Sequence, residues 1–252
     1  MAISLASISR SVRNSLPPRV VIHGEGGVGK TTFAANAYRP IFLPFEDGLA
    51  GLEVDSFPQI TAYADAVAAI NSLRAEAHEY GTVVVDSLDW LEPLIWQKVA
   101  IDNGKRSIED IPYGKGYVEA APLWREILDG LNALRTERGM AVILIAHSEI
   151  KRFEAPDSEP YDRYQIKLHK TAGALVREWA DIIGFAHHET AIKKENTGFN
   201  NQRARGIATG RRLLRVVETP ACVAKNRYSL PETLELTWPA LLAAMSPQPQ
   251  AA

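Results

Sequence analysis

Ten residues near the amino terminus combine residue types that can hold a chain of phosphates. The segment HGEGGVGKTT, residues 23–32, fits the pattern G-x-x-x-x-G-K-[ST] at every fixed position. Its glycines let backbone N–H groups point inward, Lys30 supplies a cation for the outer phosphates, and Thr31 offers a hydroxyl to Mg²⁺. The predicted nucleotide-binding residues are Gly24, Glu25, Gly26, Gly27, Val28, Gly29, Lys30, Thr31 and Thr32.

Hydrolysis of a bound nucleotide also needs a carboxylate near the metal and a group that orients water. Asp86 ends the apolar run of residues 83–85, at the carboxyl edge of a predicted strand, where α/β sheets bind ligands. This predicts Asp86 and Thr31 as the magnesium ligands; the alternative is an aspartate that only caps a turn. Ser87 stands where many ATPases carry the glutamate that polarises water, so that acid must come from elsewhere.

Two further polar residues follow predicted strands. Glu46 ends IFLPFE, the strand after the first helix, and is the candidate catalytic acid, with Asp47 as a rival and an exposed loop acid as the alternative. His147 ends VILIAH at the same edge and could sense the γ-phosphate; a purely structural histidine is the open alternative.

Apolar strands alternate with helical patterns along the chain, which favours a mostly parallel sheet covered by helices on both faces. The first helix is predicted over residues 30–38 and a short strand over residues 59–63. Two polar stretches, residues 102–118 and 148–166, are predicted as long loops. Beyond Glu189 the pattern indicates β-hairpins that continue the sheet, followed by a short helix from about Pro239.

Composition limits the remaining possibilities. The chain has 252 residues, 46% of them hydrophobic and 23% charged, which is typical of a globular protein. The single cysteine, Cys222, excludes an internal disulfide and suits the cytoplasm. No apolar run reaches about 18 residues, so neither a transmembrane helix nor a membrane partner is expected. We expect a flexible or partner-docking arm over residues 1–18, and a short helix with a disordered tail over residues 238–252.

Positive charge is concentrated late in the chain. Nine basic residues and two acids lie between Thr190 and Tyr228, a net +7 that leaves −9 for the rest. Such asymmetry is typical of a polyphosphate partner such as single-stranded DNA, although a mobile turn or an acidic neighbouring subunit would also explain it. The predicted DNA contacts in this segment are Phe199, Arg203, Arg205, Arg211 and Arg212, with Phe199 stacking on a base.

These motifs together resemble a known family. GEGGVGKTT, FLPFEDGLAGL, VVVDSLDWL and ILIAHSEI are similar in order and spacing to the core of RecA-type recombinase ATPases. CVAKNRYSLPETLEL, residues 222–236, resembles the closing motif of a phage family of core-only, RecA-like ATP-binding proteins associated with single-strand annealing, and YGKGY at residues 113–117 also fits. The resemblance covers residues 19–237 and implies a RecA-like P-loop NTPase core with a C-terminal β-hairpin extension.

The resemblance implies roles for individual residues. Glu46 matches the catalytic glutamate and Asp86 the Walker B acid, while His147 stands where recombinases commonly carry a glutamine. Lys225 and Arg227 match the basic pair that such motors insert into the ATP site of the neighbouring subunit. The implied protein is a DNA-stimulated, Mg²⁺-dependent ATPase of a phage in its bacterial host. It would assemble as a ring or filament, with a single-strand-binding protein as a possible partner.

The two predicted loops occupy the positions where recombinases place DNA-binding loops. The basic residues predicted to contact DNA there are Lys105, Arg106, Lys151 and Arg152. Two other functions stay open: a P-loop kinase of a small molecule, with residues 190–228 as its lid, and a nucleotide-dependent scaffold similar to a helicase loader. The late position of that basic segment, after five predicted core strands, argues against the kinase.

Overall fold

The computed structural model describes residues 16–154, 159–196 and 202–245, and the side chains of residues 191–196 and 202–208 lie outside that description. The predicted N-terminal arm falls largely on residues 1–15, and the predicted tail on residues 246–252, so both also lie outside it. Within the described ranges, no helix has the length and apolar character needed to cross a membrane.

Strands and helices alternate along most of the described chain. The strands are β1 (Arg19–Gly24), β2 (Pro40–Pro44), β3 (Asp55–Ser56), β4 (Thr82–Asp86), β5 (Ala141–Phe153), β6 (Tyr161–Ile166), β7 (Ile182–Asn196), β8 (Gln202–Arg215), β9 (Lys225–Asn226) and β10 (Thr233–Glu235). The helices are α1 (Lys30–Ala35), α2 (Tyr63–Ala75), α3 (Leu88–Asp102), α4 (Lys115–Glu137), α5 (Lys170–Trp179) and α6 (Trp238–Met245).

The sheet has the strand order β10-β8-β7-β1-β5-β4-β2-β3. The six strands from β7 to β3 in this order run parallel, whereas β8 and β10 pair antiparallel at one end. This confirms the predicted α/β fold class, a mostly parallel sheet flanked by helices. The β7–β8 hairpin and β10 form its β extension. Because the central strands are parallel, their carboxyl ends share one edge.

Two apolar layers hold the helices against opposite faces of the sheet. In β1, Val21 packs into the layer covered by α2, α3, α4 and α5, whereas Val20 and Ile22 pack into the layer covered by α1 and α6. Successive strand residues point to opposite faces, so a strand covered on both sides must be apolar throughout. The α1 and α6 helices meet through Phe33 and Trp238, whose rings lie edge to face at 5.7 Å.

The predicted loop over residues 148–166 is wrong, because most of it is a β-hairpin. Strand β5 continues beyond the sheet to Phe153 and pairs antiparallel with β6, placing Arg152 opposite Asp162 and Phe153 opposite Tyr161. Beyond the sheet, buried, half-buried and exposed residues follow one another irregularly in this ribbon, so it lacks the alternation that reveals a half-buried strand. Residues 155–158 between its strands lie outside the described part of the chain.

The other elements differ from expectation in smaller ways. Helix α1 ends at Ala35, three residues early, and α4 begins at Lys115, inside the predicted loop over residues 102–118. The strand expected over residues 59–63 is absent from the described structure, where β3 forms at Asp55–Ser56 instead. Buried Ile108 and Ile111 anchor the loop before α4 to the core. A Cβ on Gly116 would lie only 2.6 Å from Ile108, so this contact requires glycine.

Candidate active site

The carboxyl ends of four strands bring together four of the six predicted catalytic residues, Lys30, Glu46, Asp86 and His147. In the pairing of β1 with β5, Gly24 lies opposite His147, and in that of β2 with β4, Pro44 lies opposite Asp86. A cavity of about 370 Å³ opens at this edge. Among the residues that line it are Lys30, Thr31, Glu46, Asp86, His147 and Arg212.

The glycine-rich loop has a backbone that other residues adopt poorly. Gly27 and Gly29 have φ values of 76° and 104°, in the left-handed region. A Cβ on Gly24 would lie 2.4 Å from the carbonyl oxygen of Ala186 on the neighbouring strand. Lys30 Nζ donates to the carbonyl oxygen of Gly24 at 3.0 Å and to that of Glu25 at 2.8 Å. The loop therefore wraps around the lysine ammonium.

Thr31 and Asp86, which the sequence predicts as the magnesium ligands, contact each other directly. The Thr31 hydroxyl donates to Asp86 Oδ2 at 2.9 Å. Burial raises the pKa of Asp86 to about 6, against the opposing effect of the hydrogen bond from Thr31. A hydroxyl beside a carboxylate is the hard oxygen donor set that Mg²⁺ prefers, with phosphate oxygens completing its coordination. The two side chains thus fit a magnesium ion bound together with a nucleotide.

Glu46 rather than its rival Asp47 lines the cavity. The Ser87 hydroxyl donates to Glu46 Oε1 at 2.7 Å, and Ser87 itself is fully buried and follows Asp86 through a cis peptide bond. Ser87 therefore fixes the carboxylate of Glu46 beside Thr31 and Asp86. The sequence indicates only that Ser87 replaces the glutamate of many ATPases, and it does not reveal this hydrogen bond to Glu46.

The carboxylate of Asp89 holds His147 in place. Asp89 Oδ2 lies 2.9 Å from His147 Nδ1, and Asp89 Oδ1 accepts from the backbone N–H of His147, also at 2.9 Å. The hydrogen bond from the His147 ring to Asp89 raises the pKa of His147, although burial opposes it. Burial alone would raise the pKa of Asp89, but the hydrogen bonds from His147 outweigh it and hold that pKa below its usual value. Asp89 lies in the first turn of α3.

Arg212, predicted to contact DNA, lies at the mouth of the same cavity. A Cβ on Gly29 would be only 2.6 Å from Arg212 Nη1, so the guanidinium rests directly on the glycine-rich loop. Strand β8 runs antiparallel to β7, which is the neighbour of β1, and this topology carries Arg212 to the loop. No local sequence pattern connects residue 212 with residue 29.

Lys225 and Arg227 lie at the opposite edge of the sheet from the cavity. Strand β9 pairs with the first residues of β7, at Ile182 and Ile183, whereas Gly24 of the phosphate loop pairs four residues further along, at Ala186. Lys225 Nζ donates to the carbonyl oxygens of Arg177 and Glu178, which belong to the last turn of α5. Arg227 Nη1 lies 3.3 Å from Asp181 Oδ1. Within one chain, these cations stabilise a helix C-terminus and a buried carboxylate.

The remaining predicted DNA contacts lie on three separate segments. Lys105 and Arg106 are exposed on the loop before α4, and Lys151 and Arg152 are exposed on the β5–β6 hairpin. Lys151 and Arg211 each lie in an ion pair, Lys151 with Glu149 at 2.6 Å and Arg211 with Glu189 at 3.5 Å. Phe199 and the side chains of Arg203 and Arg205 fall outside the described residues.

A buried acid beneath the site gives a prediction for stability. Glu92 of α3 is 5% exposed and accepts the backbone N–H of His169 at 3.0 Å. Burial raises the pKa of Glu92 from 4.5 to about 7. The folded protein therefore keeps a proton that the unfolded chain releases, and this contribution is complete below about pH 4.5 and lost as the pH rises through 7. We expect Glu92→Gln to remove this loss of stability with rising pH.

The measurement is urea unfolding of both proteins between about pH 5 and about pH 8. As the pH rises over this interval, the difference in free energy of unfolding between the two proteins should shift in favour of Glu92→Gln by up to about 3 kcal/mol. Glu119→Gln, at an exposed position on α4, is the control and should run parallel to the wild type. A constant difference between Glu92→Gln and the wild type at all pH values would contradict the prediction.

Comparisons with known proteins give one family and two similar proteins. A family model described as AAA domain matches residues 16–228. A curated protein, the SPbeta prophage-derived uncharacterized protein YorG of Bacillus subtilis (strain 168), is 28% identical over 137 residues. That match covers 51% of this chain and 40% of the relative, so the chain spans about two fifths of that protein's length. The crystal structure of the RadB recombinase has a TM-score of 0.48 and 14% identity, and the match covers 89% of this chain and 90% of that one.

Proposed function

Since this chain belongs to the AAA-domain family whose model spans residues 16–228, we propose that it is a RecA-like, Mg²⁺-dependent ATPase of DNA recombination. In this proposal it binds single-stranded DNA as a multimer and promotes annealing or strand pairing. ATP binding favours assembly, and hydrolysis reverses it. The observation that carries the proposal is the cavity that gathers Lys30, Glu46, Asp86 and His147 beside the glycine-rich loop.

We assign a role in hydrolysis to four residues of the cavity, Lys30, Thr31, Glu46 and Asp86. Lys30 and the backbone N–H groups of its loop bind the phosphates. Thr31 and Asp86 would hold Mg²⁺, which when bound offsets negative charge on the phosphate oxygens. Glu46, oriented by Ser87, accepts the proton of the water that attacks the terminal phosphorus, and ADP leaves as the bond to it breaks. The protein thus contributes chiefly position and electrostatics, as phosphoryl transfer requires.

His147 connects the cavity to a DNA-binding element. It lines the cavity, and the strand that carries it continues directly into the β5–β6 hairpin with Lys151 and Arg152. Asp89 holds both the ring and the backbone N–H of His147. A phosphate that contacts the ring therefore also acts on the backbone of β5. We therefore assign His147 as the sensor that transmits nucleotide state to this hairpin.

The position of the basic pair supports an ATP site shared between protomers. Lys225 and Arg227 do not line the cavity of their own chain and lie toward the other edge of the sheet, so we assign them to the nucleotide of another copy. A head-to-tail contact that places this edge against the next cavity generates a ring or a filament. Cations supplied across such an interface stabilise the charge of the transition state and make hydrolysis depend on assembly.

DNA binding is proposed to combine phosphate contacts with stacking. The exposed cations Lys105, Arg106, Lys151 and Arg152 supply charge for the backbone, and Arg211 of β8 supplies a further contact. Phe199, Arg203 and Arg205 remain contacts predicted from the sequence. We place the protein in the cytoplasm of a phage-infected bacterium, with a single-strand-binding protein as a partner. The prophage-derived name of the curated relative supports the phage origin.

The test measures ATP hydrolysis with and without single-stranded DNA, together with particle mass in the presence of a non-hydrolysable ATP analogue. We expect DNA to raise the turnover and the analogue to increase the mass. In Lys30→Ala both responses should disappear, because the ammonium that binds the phosphates is gone. DNA-independent turnover by a monomer would contradict the proposal and favour a small-molecule kinase.

A further inference from the structure

Arg212 differs from the other arginines of its strand in how its charge is balanced. Arg211 lies 3.5 Å from Glu189 and 3.5 Å from Glu235, and Arg215 is hydrogen-bonded to Glu232. Among the described residues, no carboxylate lies within ion-pair distance of the Arg212 guanidinium. This cation is exposed, close to the glycine-rich loop, and available to an anion from outside the chain.

Arg212 also stands where two cavities meet. It lines the cavity of about 370 Å³ that holds the catalytic residues and an adjoining groove of about 490 Å³. Gly29 and Thr32 of the phosphate loop line both as well, while Asn36 and Thr237 line only the groove. A nucleotide with its phosphates in the catalytic cavity and its nucleoside in the groove must pass this junction.

We propose that Arg212 is a nucleotide ligand that acts in cis, with its guanidinium bound to the phosphate chain of ATP where the chain leaves the glycine-rich loop. This inference rests on the proposed nucleotide binding, and it gives Arg212 a role other than the DNA contact expected from the sequence. A planar guanidinium suits phosphate oxygens because it donates two parallel hydrogen bonds. The cations of the shared site come from a neighbour, whereas Arg212 contacts the nucleotide of its own chain.

The experiment measures binding of Mg²⁺ with a non-hydrolysable ATP analogue by calorimetry, at protein concentrations where the chain is monomeric. We expect Arg212→Ala to weaken the affinity by roughly 10- to 100-fold, the value of a charge-assisted hydrogen bond. Arg74→Ala is the control, since Arg74 is an exposed arginine that is paired with Glu137 and lines neither cavity; its affinity should stay within about threefold of the wild type. Tripolyphosphate should also bind more weakly to Arg212→Ala than to the wild type, whereas adenosine should bind both proteins equally well.

Two further measurements separate this inference from the proposed function. If Lys30→Ala loses nucleotide affinity and Arg212→Ala does not, the inference is overturned and nucleotide binding stands. If Lys30→Ala binds the analogue as well as the wild type does, nucleotide binding at this loop fails first. If Arg212→Ala loses affinity only for single-stranded DNA in the absence of nucleotide, Arg212 is a DNA contact. Thermal unfolding should be unchanged in Arg212→Ala, because the side chain is exposed and makes no ion pair within the described chain.

Discussion

Replacing Glu46 by glutamine is expected to slow ATP hydrolysis by roughly 100- to 10,000-fold, the usual contribution of a general base. Glutamine keeps the length of the side chain, and its carbonyl oxygen can still accept the hydrogen bond from Ser87. Its amide does not take a proton from water, so the phosphate-binding loop stays intact while the chemical step is lost. Affinity for a non-hydrolysable ATP analogue should therefore remain close to that of the wild type.

Single-turnover release of phosphate measures this effect directly. Asp47→Asn is the matched control, because Asp47 is the adjacent acid but is exposed and does not line the cavity. Its rate should stay near that of the wild type. A slow Asp47→Asn together with a fast Glu46→Gln would transfer the role of base to Asp47, and two fast variants would remove it from this segment.

Replacing Arg227 by alanine is expected to lower DNA-stimulated ATP hydrolysis by about 1,000-fold or more, as the loss of an arginine supplied to a neighbour's nucleotide does. The fold should survive the change. Asp181, the partner of Arg227, keeps Arg19, whose Nη2 lies 2.8 Å from Asp181 Oδ1 and whose Nε lies 3.1 Å from Oδ2. Nucleotide affinity of the isolated chain should also be unchanged, because Arg227 is remote from its own cavity.

The steady-state rate with saturating single-stranded DNA checks this expectation. Arg74→Ala is a suitable control, since Arg74 is another exposed arginine and forms an ion pair with Glu137. A wild-type rate for Arg227→Ala would restrict Arg227 to its structural contacts, the carboxylate of Asp181 and the carbonyl oxygen of Glu178 at the end of α5.

Much of the site was predictable because its motifs carry their own geometry. The phosphate loop has glycines where the backbone needs φ above zero, as at Gly27 and Gly29, so the pattern specifies the conformation. Asp86 and His147 follow uninterrupted apolar runs, and buried parallel strands place such residues at one edge. The parallel sheet was predictable for the same reason.

The unpredicted features depend on contacts between distant segments. The Ser87–Glu46 and Asp89–His147 hydrogen bonds join residues 41 and 58 positions apart. Arg212 reaches Gly29 only because β8 folds back along β7. The β5–β6 hairpin was missed because its buried and exposed residues do not alternate regularly along either strand. Local patterns therefore predicted the elements that bury apolar residues, and not the polar contacts that tertiary structure creates.

The central claim, an ATP site completed by a neighbouring copy, is tested most directly by mixing two inactive variants. Lys30→Ala lacks a working phosphate loop but keeps Arg227, whereas Arg227→Ala keeps the loop and lacks the cation. Each should be nearly inactive alone. In an equal mixture, about one interface in four joins an intact loop to an intact Arg227, so about a quarter of wild-type hydrolysis should return with DNA present. No recovery at any ratio, in mixtures whose particle mass shows that the two variants assemble together, would contradict the account.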